Sequence, residues 1–585
     1  MALRGGLRGR GIAIAIAGRY VAYSPALVAA EVLATILGLF AFGSFRYQIH
    51  KNALSYGLFL VIAATFTGLA TSSWHVEIAQ AGWAAWAQHH LLTLDGLDGL
   101  VHADTLLFIL GLTYFVSVIA QTRLLEGVTF RLLERNRGAI LPTVIAVTAV
   151  VSVASGVFDG VSMIGLTVRA LLIMLILAGA PTRDVRYAVM VCTIVTTVCG
   201  MWLAYGEPPN LIMRANLSPY LNDAFFLRYC APAALVSYLV VWWRLRHTLG
   251  DRRVNLKALD LVDASAADVR FLQATRHGEV LTSVELVQEF AAELGSRADM
   301  VLGRVRTGES LGVALVRSEV PQDLRERMLG RFVAEDLAAA LDRHYVWYVL
   351  GDPDRADDEA RTVRRELARL ASFRRNAQRI GALAVVPFVG LLVLHGVNHR
   401  VPLFAASFAG FLAALPALAA APKMRGLALR EARHEFAEYY FLIPLFLSIT
   451  LLTVAGFFDD LQRLVRDGIG VLGYGHVAAA QFFGSAFLSA ILDNNVVADF
   501  ASRALHNLDI AVLHVFAMAQ IAGYALGGCW THIGSAQSVV AYAFIKREID
   551  ESFTPLGWIR EITPLVLQIM AALTALIYLQ SFLLG

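Results

Sequence analysis

Apolar positions in this chain come in long runs. About 20 residues are needed to cross a bilayer as helix. Runs of that order fall near 25–45, 53–72 and 103–121, then at 139–158, 160–182, 186–213 and 226–248. After a polar interval the plan returns at 379–397, 401–421 and 435–457, in a pair meeting at Asp493, and at 508–545 and 561–583. Residues 122–137 mix arginines with apolar positions and predict an amphipathic surface helix, with a counterpart at 458–472. The pattern predicts an all-α polytopic membrane protein.

Two of these runs share a sequence at a separation of 334 positions. Ser155-Gly156-Val157-Phe158-Asp159 leads to Arg169-Ala170-Leu171, and Ser489-Ala490-Ile491-Leu492-Asp493 leads to Arg503-Ala504-Leu505. An ionisable group inside a bilayer costs several kcal/mol and marks a functional site. A second pattern follows each copy. Cys199-Gly200-Met201-Trp202 runs into Gly206-Glu207-Pro208-Pro209-Asn210, and Gly527-Gly528-Cys529-Trp530 into Gly534-Ser535-Ala536-Gln537-Ser538. Gly and Pro inside an apolar run break a helix, which a bilayer tolerates only around a protein-enclosed cavity. Paired breaks in two halves point to a transporter's midplane site.

Asp between two apolar arms reads either as a tight turn joining full spans or as the tip of a re-entrant hairpin. Residues 494–506 make roughly 18 Å of helix at 1.5 Å per residue, short of a core of about 30 Å. That predicts a re-entrant hairpin with Asp493 near mid-membrane. The repeat extends the reading to Asp159, where longer arms leave both alternatives open.

At the second tip Asp493, Asn494 and Asn495 offer a carboxylate and two amides; at the first, Asp159 has only Gly160 and Val161 beside it, so exposed backbone must supply the remaining ligands. Burial favours the protonated carboxyl and a bound cation favours its anion, so one Asp can hold a proton or a sodium ion in turn. Glu207 reads as a substrate-site group or as a water-facing cap, and His532 as a proton relay or a structural histidine. Arg169 and Arg503, about 15 Å past each Asp if helical, read as anchors at the hairpin mouths. His89-His90 and the His395/His399 pair lack Cys or acidic partners and read as solvated interfacial residues.

Composition agrees with the membrane reading: 57% of 585 residues are hydrophobic, 16% are charged and the mean hydropathy is +0.60. A net charge of +3 leaves no nucleic-acid footprint. Cys192, Cys199, Cys230 and Cys529 show no C-x-x-C spacing, and no phosphate loop is present, so transport by this chain would draw on an ion gradient.

Three parts follow: a first membrane half over 1–249 with its tip at 159 and break near 200–210, a soluble insertion over 250–378, and a second half over 379–585 with its tip at 493 and break at 527–538. Charges are dense in the insertion, and 311–316 and 345–350 read as strands of a small mixed α/β domain. Residues 73–102 hold no Lys or Arg, whereas arginines crowd 123–137, 183–186 and 244–253. This bias predicts a plasma (inner) membrane protein with a cytoplasmic insertion and two inverted repeats, although the arginine-bearing amino terminus then falls outside, against the rule. That terminus resembles a signal peptide cut short by Arg19 and is read as retained at the interface.

These features resemble the ion transporter superfamily, which includes NhaD-type sodium/proton antiporters, ArsB arsenite permeases, the pink-eyed dilution P protein and divalent anion/sodium symporters. Its hairpin motif S-A-x-L-D-N is matched by Ser489 to Asn494 and more loosely by Ser155 to Gly160. Its broken-helix motif is matched by Gly206-Glu207-Pro208-Pro209-Asn210 and, in degraded form, by Gly534-Ser535-Ala536-Gln537-Ser538. The resemblance brings Asn210 and Ser535 into the candidate site. Gly160 stands where the family usually shows Asn, and the Ser-Asn-Thr tips of the symporter branch are absent. The resemblance thus implies sodium/proton exchange around midplane carboxylates, with sodium held by Asp493, Asn494 and Asp159. Sodium- or proton-coupled anion transport is the alternative, and an ion sensor signalling through the insertion is an alternative of another class. The expected partners are the lipid bilayer, a monovalent cation and the proton; a homodimer stands as an open expectation. No enzyme constellation is visible.

Overall fold

The computed structural model describes residues 12–16, 19–23, 38, 51–122, 124–158, 160–178, 180–253, 283–284, 286–307, 309, 311–330, 353–398, 400–419, 422–437, 439–454 and 457–583. Among them, six helices are long and apolar enough to cross a membrane: Ala103–Gln121, Asp223–Leu249, Arg375–Val397, Met424–Thr453, Ile510–Trp530 and Pro555–Phe582. The protein is an all-α polytopic membrane protein. The run at 25–45 lies, apart from residue 38, outside the described residues. Near the amino terminus Ile12–Ile16 and Arg19–Tyr23 pair as antiparallel strands, as the isoleucines of the first and the Tyr and Val residues of the second favour.

The two halves carry the same order of elements. In the first, the span Ala103–Gln121 precedes a surface helix, Leu124–Arg135. The hairpin arms Ile140–Ser155 and Gly160–Leu177, the broken helix Thr182–Thr197 and Pro208–Asn216, and a closing helix, Ala231–Leu249, follow. In the second, Leu442–Val454 is followed by the surface helix Phe457–Leu472. The hairpin Tyr474–Ile491 and Asn494–Arg503, the broken helix Ile510–Trp530 and Ala536–Glu548, and Pro555–Phe582 complete it. Each surface helix turns into its hairpin through a glycine with positive φ, Gly138 at 79° and Gly473 at 81°, a conformation that costs glycine nothing.

The short arm is as short as its sequence requires: Asn494–Arg503 has 10 residues, about 15 Å of helix, and cannot cross a core of about 30 Å. In lipid, helices gain little from hiding apolar surface and associate through close packing of small residues. Gly527 accordingly packs on the Ala486 carbonyl, with no room for a Cβ, and Gly111 sits against Ser407 and Phe408.

The halves interlock. Lys51–Ala81, from the first half, lies along Leu442–Val454, where Ser55 Oγ donates to the Phe441 carbonyl (2.7 Å). Leu403–Ala414, from the second half, packs on Ala103–Gln121, and its first two N–H groups, at Leu403 and Phe404, are bound by the Asp104 carboxylate at 3.0 Å each.

One expectation about the insertion is corrected. Residues 311–316 are not a strand: Leu311–Arg317 is a helix, burying Leu311, Ala314 and Leu315 in a small separate core with Val301, Val305 and Met328. A short apolar run fits either period, and packing decides. The second expected strand, 345–350, lies outside the described residues. Residues Pro353–Val397 form one continuous helix, whose apolar part, Arg375–Val397, is one of the six long spans.

Candidate functional site

Each hairpin tip is hydrogen-bonded to the break of its own half. In the first, Gly206 N–H donates to the Gly156 carbonyl (3.1 Å) and Gly160 N–H to the Gly206 carbonyl (2.9 Å). A Cβ at Gly206 would overlap the Ser155 carbonyl, so this approach requires glycine. In the second, Asn494 N–H donates to the Gly534 carbonyl (3.2 Å) and Thr531 Oγ1 to the Ala490 carbonyl (2.6 Å). One backbone carbonyl of each break, at Gly206 and at Gly534, thus accepts from its own tip.

Four helices begin at this junction: Gly160–Leu177, Pro208–Asn216, Asn494–Arg503 and Ala536–Glu548. A helix start presents unpaired N–H groups and a partial positive charge. Pro208 and Pro209 suit their place, since the first turn needs no N–H and their fixed φ is already helical.

The two halves meet across the same junction. Gln537 Nε2 donates to both oxygens of Glu207 (2.8 and 3.0 Å), and Glu207 is only 3% exposed. Tyr524 Oη donates to Asn210 Oδ1 (2.5 Å). Gly160 packs directly on the Glu207–Gln537 pair: a Cβ there would touch Glu207 Oε1 and stand 2.6 Å from Gln537 Nε2.

Of the expected site residues, Gly160, Glu207 and Asn210 come together with Gln537 and Tyr524. Asp493, Asn494, Asn495 and Ser535 lie around the second tip and its break. Asp493 is the N-cap of its arm: Oδ1 accepts from the Asn495 N–H (3.0 Å) and from Asn495 Nδ2 (2.6 Å). Asn495 Oδ1 is buried with no hydrogen-bond partner. Ser535 caps Ala536–Glu548 through the Ser538 N–H (3.2 Å). The His532 ring lies 4.7 Å from that of Tyr542. Asp159 lies outside the described residues.

Elsewhere, Arg503 meets Asp499 (3.2 Å) and Thr453 Oγ1 (3.1 Å), while the side chain of Arg169 lies outside the described residues. His90 pairs with Glu77 (3.3 Å), and the His395 ring contacts the Val401 carbonyl (2.7 Å). Sequence reasoning misses Gln537, Tyr524 and Asp499. For Asp499 a signal is present, a second acid in the same apolar arm six residues after Asp493.

No curated protein matches the chain. A family model described as citrate transporter, CitMHS, matches residues 57–511. The matched span contains both hairpin tips, the first break with Glu207 and Asn210, and the start of Ile510–Trp530, and it names neither the NhaD-type nor the ArsB branch of the resemblance. On that match the chain belongs to the CitMHS citrate transporter family, whose members are secondary transporters and not enzymes.

Proposed function

We propose that the protein carries a small polycarboxylate of the citrate kind by alternating access, with a cation bound alongside it. The observation that carries this reading is the junction of four helix N-termini and buried amides, a setting that favours carboxylate groups. Among the described residues of the membrane part no Lys or Arg is buried, while the acids Glu207 and Asp493 are. A polyanion entering such a site leaves negative charge uncompensated unless a cation accompanies it. The second tip supplies oxygens for a sodium ion: the Asp493 carboxylate, Asn494, and the unpartnered Oδ1 of Asn495. The Glu207–Gln537 bond joins the two halves at the site, so a substrate that inserts there changes the contact on which their rocking turns.

Sodium/proton exchange without a carboxylate is the second reading, favoured by the same Asp493 tip. The purified protein in liposomes, given labelled citrate with an imposed sodium or proton gradient, distinguishes them. Gradient-stimulated citrate uptake, competed by other tricarboxylates, is expected. Sodium-dependent proton flux with no citrate uptake would overturn the proposal in favour of exchange.

A further inference from the structure

Pro422–Ala437, the helix that leads into Leu442–Val454, lies along Ala103–Gln121 of the first half. It carries two acids four residues apart, Glu431 and Glu435, which a helix sets on one face. Each accepts a hydrogen bond from the first half. Gln121 Nε2 donates to Glu431 Oε2 (2.9 Å), and Ser162 Oγ donates to Glu435 Oε1 (2.7 Å). Asn52 Nδ2 holds the end of the same helix at the Ala437 carbonyl (3.3 Å).

The two acids meet different kinds of partner. Gln121 and Asn52 lie on Ala103–Gln121 and Lys51–Ala81, helices of the interlocked scaffold. Ser162 is the third residue of Gly160–Leu177, in the first turn of an arm whose Gly160 packs on the Glu207–Gln537 pair. Glu435 therefore reaches the first hairpin within one helical turn of its tip. The start of a helix favours a carboxylate, because its N–H groups lack intrahelical acceptors and carry a partial positive charge. A hydroxyl in that turn adds a directed donor. Here a carboxylate of the protein itself takes it.

The bonds at Glu431 and Ala437 bracket Glu435 along the helix. The backbone can thus stay in place while the Glu435 side chain turns away. Ser162 and Glu435 are both only partly buried, so an entering group reaches the hydroxyl without opening a packed core. Glu207 is placed differently, almost wholly buried and held through both oxygens by Gln537.

We infer that Glu435 is a tethered competitor of the substrate: its carboxylate engages the Ser162 hydroxyl at the first hairpin until a carboxylate of the substrate takes that hydroxyl over and frees Glu435. A built-in rival lowers the apparent affinity by the fraction of the protein in which the hydroxyl is already engaged. It also selects. A charge-assisted bond is given up to another carboxylate and not to a neutral group, so an uncharged analogue does not open the contact. The inference rests on the proposed carboxylate transport and adds a donor that the substrate takes and the group that it displaces.

Equilibrium binding of labelled citrate to the full-length protein in nanodiscs tests this, because the two partners of one bond must then move affinity in opposite directions. Glu435→Ala is expected to tighten citrate binding about tenfold, as expected for release of one charge-assisted bond, and Ser162→Ala to weaken it. Glu435→Gln, which still accepts from Ser162 but without charge, is expected to tighten it by a smaller factor and guards against a folding defect in E435A. A bond that serves structure alone would shift both partners the same way, or neither, and either result overturns the inference. The double variant S162A/E435A is expected to bind like S162A, since without the hydroxyl there is nothing to compete for. Equal tightening by E435A with and without Ser162 would reveal simple repulsion between Glu435 and citrate, and overturns it too. So would a matching gain in Glu431→Gln, one turn away, whose affinity is expected to stay that of the wild type. Citrate binding by neither the wild type nor E435A would defeat the carboxylate reading itself, whereas binding by the wild type with no gain in E435A or E435Q defeats this inference alone.

Discussion

Asp493 shows how one side chain can serve structure and chemistry at once. It caps the short arm through the Asn495 N–H, and Asn is as good an N-cap as Asp, whereas Ala at such a position costs about 0.5–2 kcal/mol. Asp493→Asn is therefore expected to insert and melt like the wild type while losing the sodium dependence of uptake, and Asp493→Ala to lose thermal stability as well; a sodium titration of transport beside a melting curve checks both. Unchanged sodium dependence in D493N would remove the tip from the coupling scheme. Gly160 answers to a different constraint. Since a Cβ there meets Glu207 and Gln537 together, Gly160→Ala is expected to wedge the inter-half bond apart and cut transport at least about tenfold, a loss of roughly 1.4 kcal/mol in transition-state terms, with normal membrane insertion by protease protection. Glu207 is legible as a site residue because an acid ahead of Pro-Pro in an apolar run has few other reasons to be there. Gln537 is not, because its partner stands 330 positions away and an amide carries no signal of burial.

At the scale of elements, the broken helices are clamped outside the site as well as within it. Arg186, on Thr182–Thr197, reaches the second half: Nη1 donates to Asp550 Oδ2 (2.6 Å), Nη2 to Glu561 Oε1, and the guanidinium lies 4.6 Å from the Phe553 ring centre. Such a clamp favours one closed arrangement, so Arg186→Gln is expected to change the maximal rate of uptake several-fold while leaving the substrate concentration for half-saturation nearly fixed. Hydrogen bonds from Ser552, with further help from Arg186, hold the Asp550 carboxyl below the usual carboxylate range. Its stabilising effect is therefore complete above the unfolded value near 3.9 and is lost only as pH falls through the lower folded value. Between pH 5 and 8 Asp550 stays ionised, and a pH response of transport in that window that persists in R186Q is the expected result. The hairpin arm that cannot cross is legible from run length alone, and the surface helices from their mixed polarity. The helix at Leu311–Arg317 is not, because a short Leu-Gly-Val-Ala-Leu-Val run fits strand and helix equally and only its packing on Val301 and Met328 settles the matter.

For the whole molecule, the separate core of the insertion and the continuous helix Pro353–Val397 place the natural cut before that helix begins. Replacing 254–352 by a flexible linker long enough to join the halves is expected to preserve which carboxylate is carried while altering the maximal rate or its pH response; a changed substrate would tie the insertion to the site. The interlocked scaffold has a consequence for how the protein is made. Ser55 and the helix around it bond to a partner near Phe441, which the ribosome delivers late: at about 5–20 residues per second, some 20–80 s afterwards. Throughout that interval the first half sits in the bilayer with one flank waiting for its mate. Nascent chains stopped before residue 442 should therefore be recognised as unfinished and degraded by membrane quality control, while those extended past the Leu442–Val454 helix escape it.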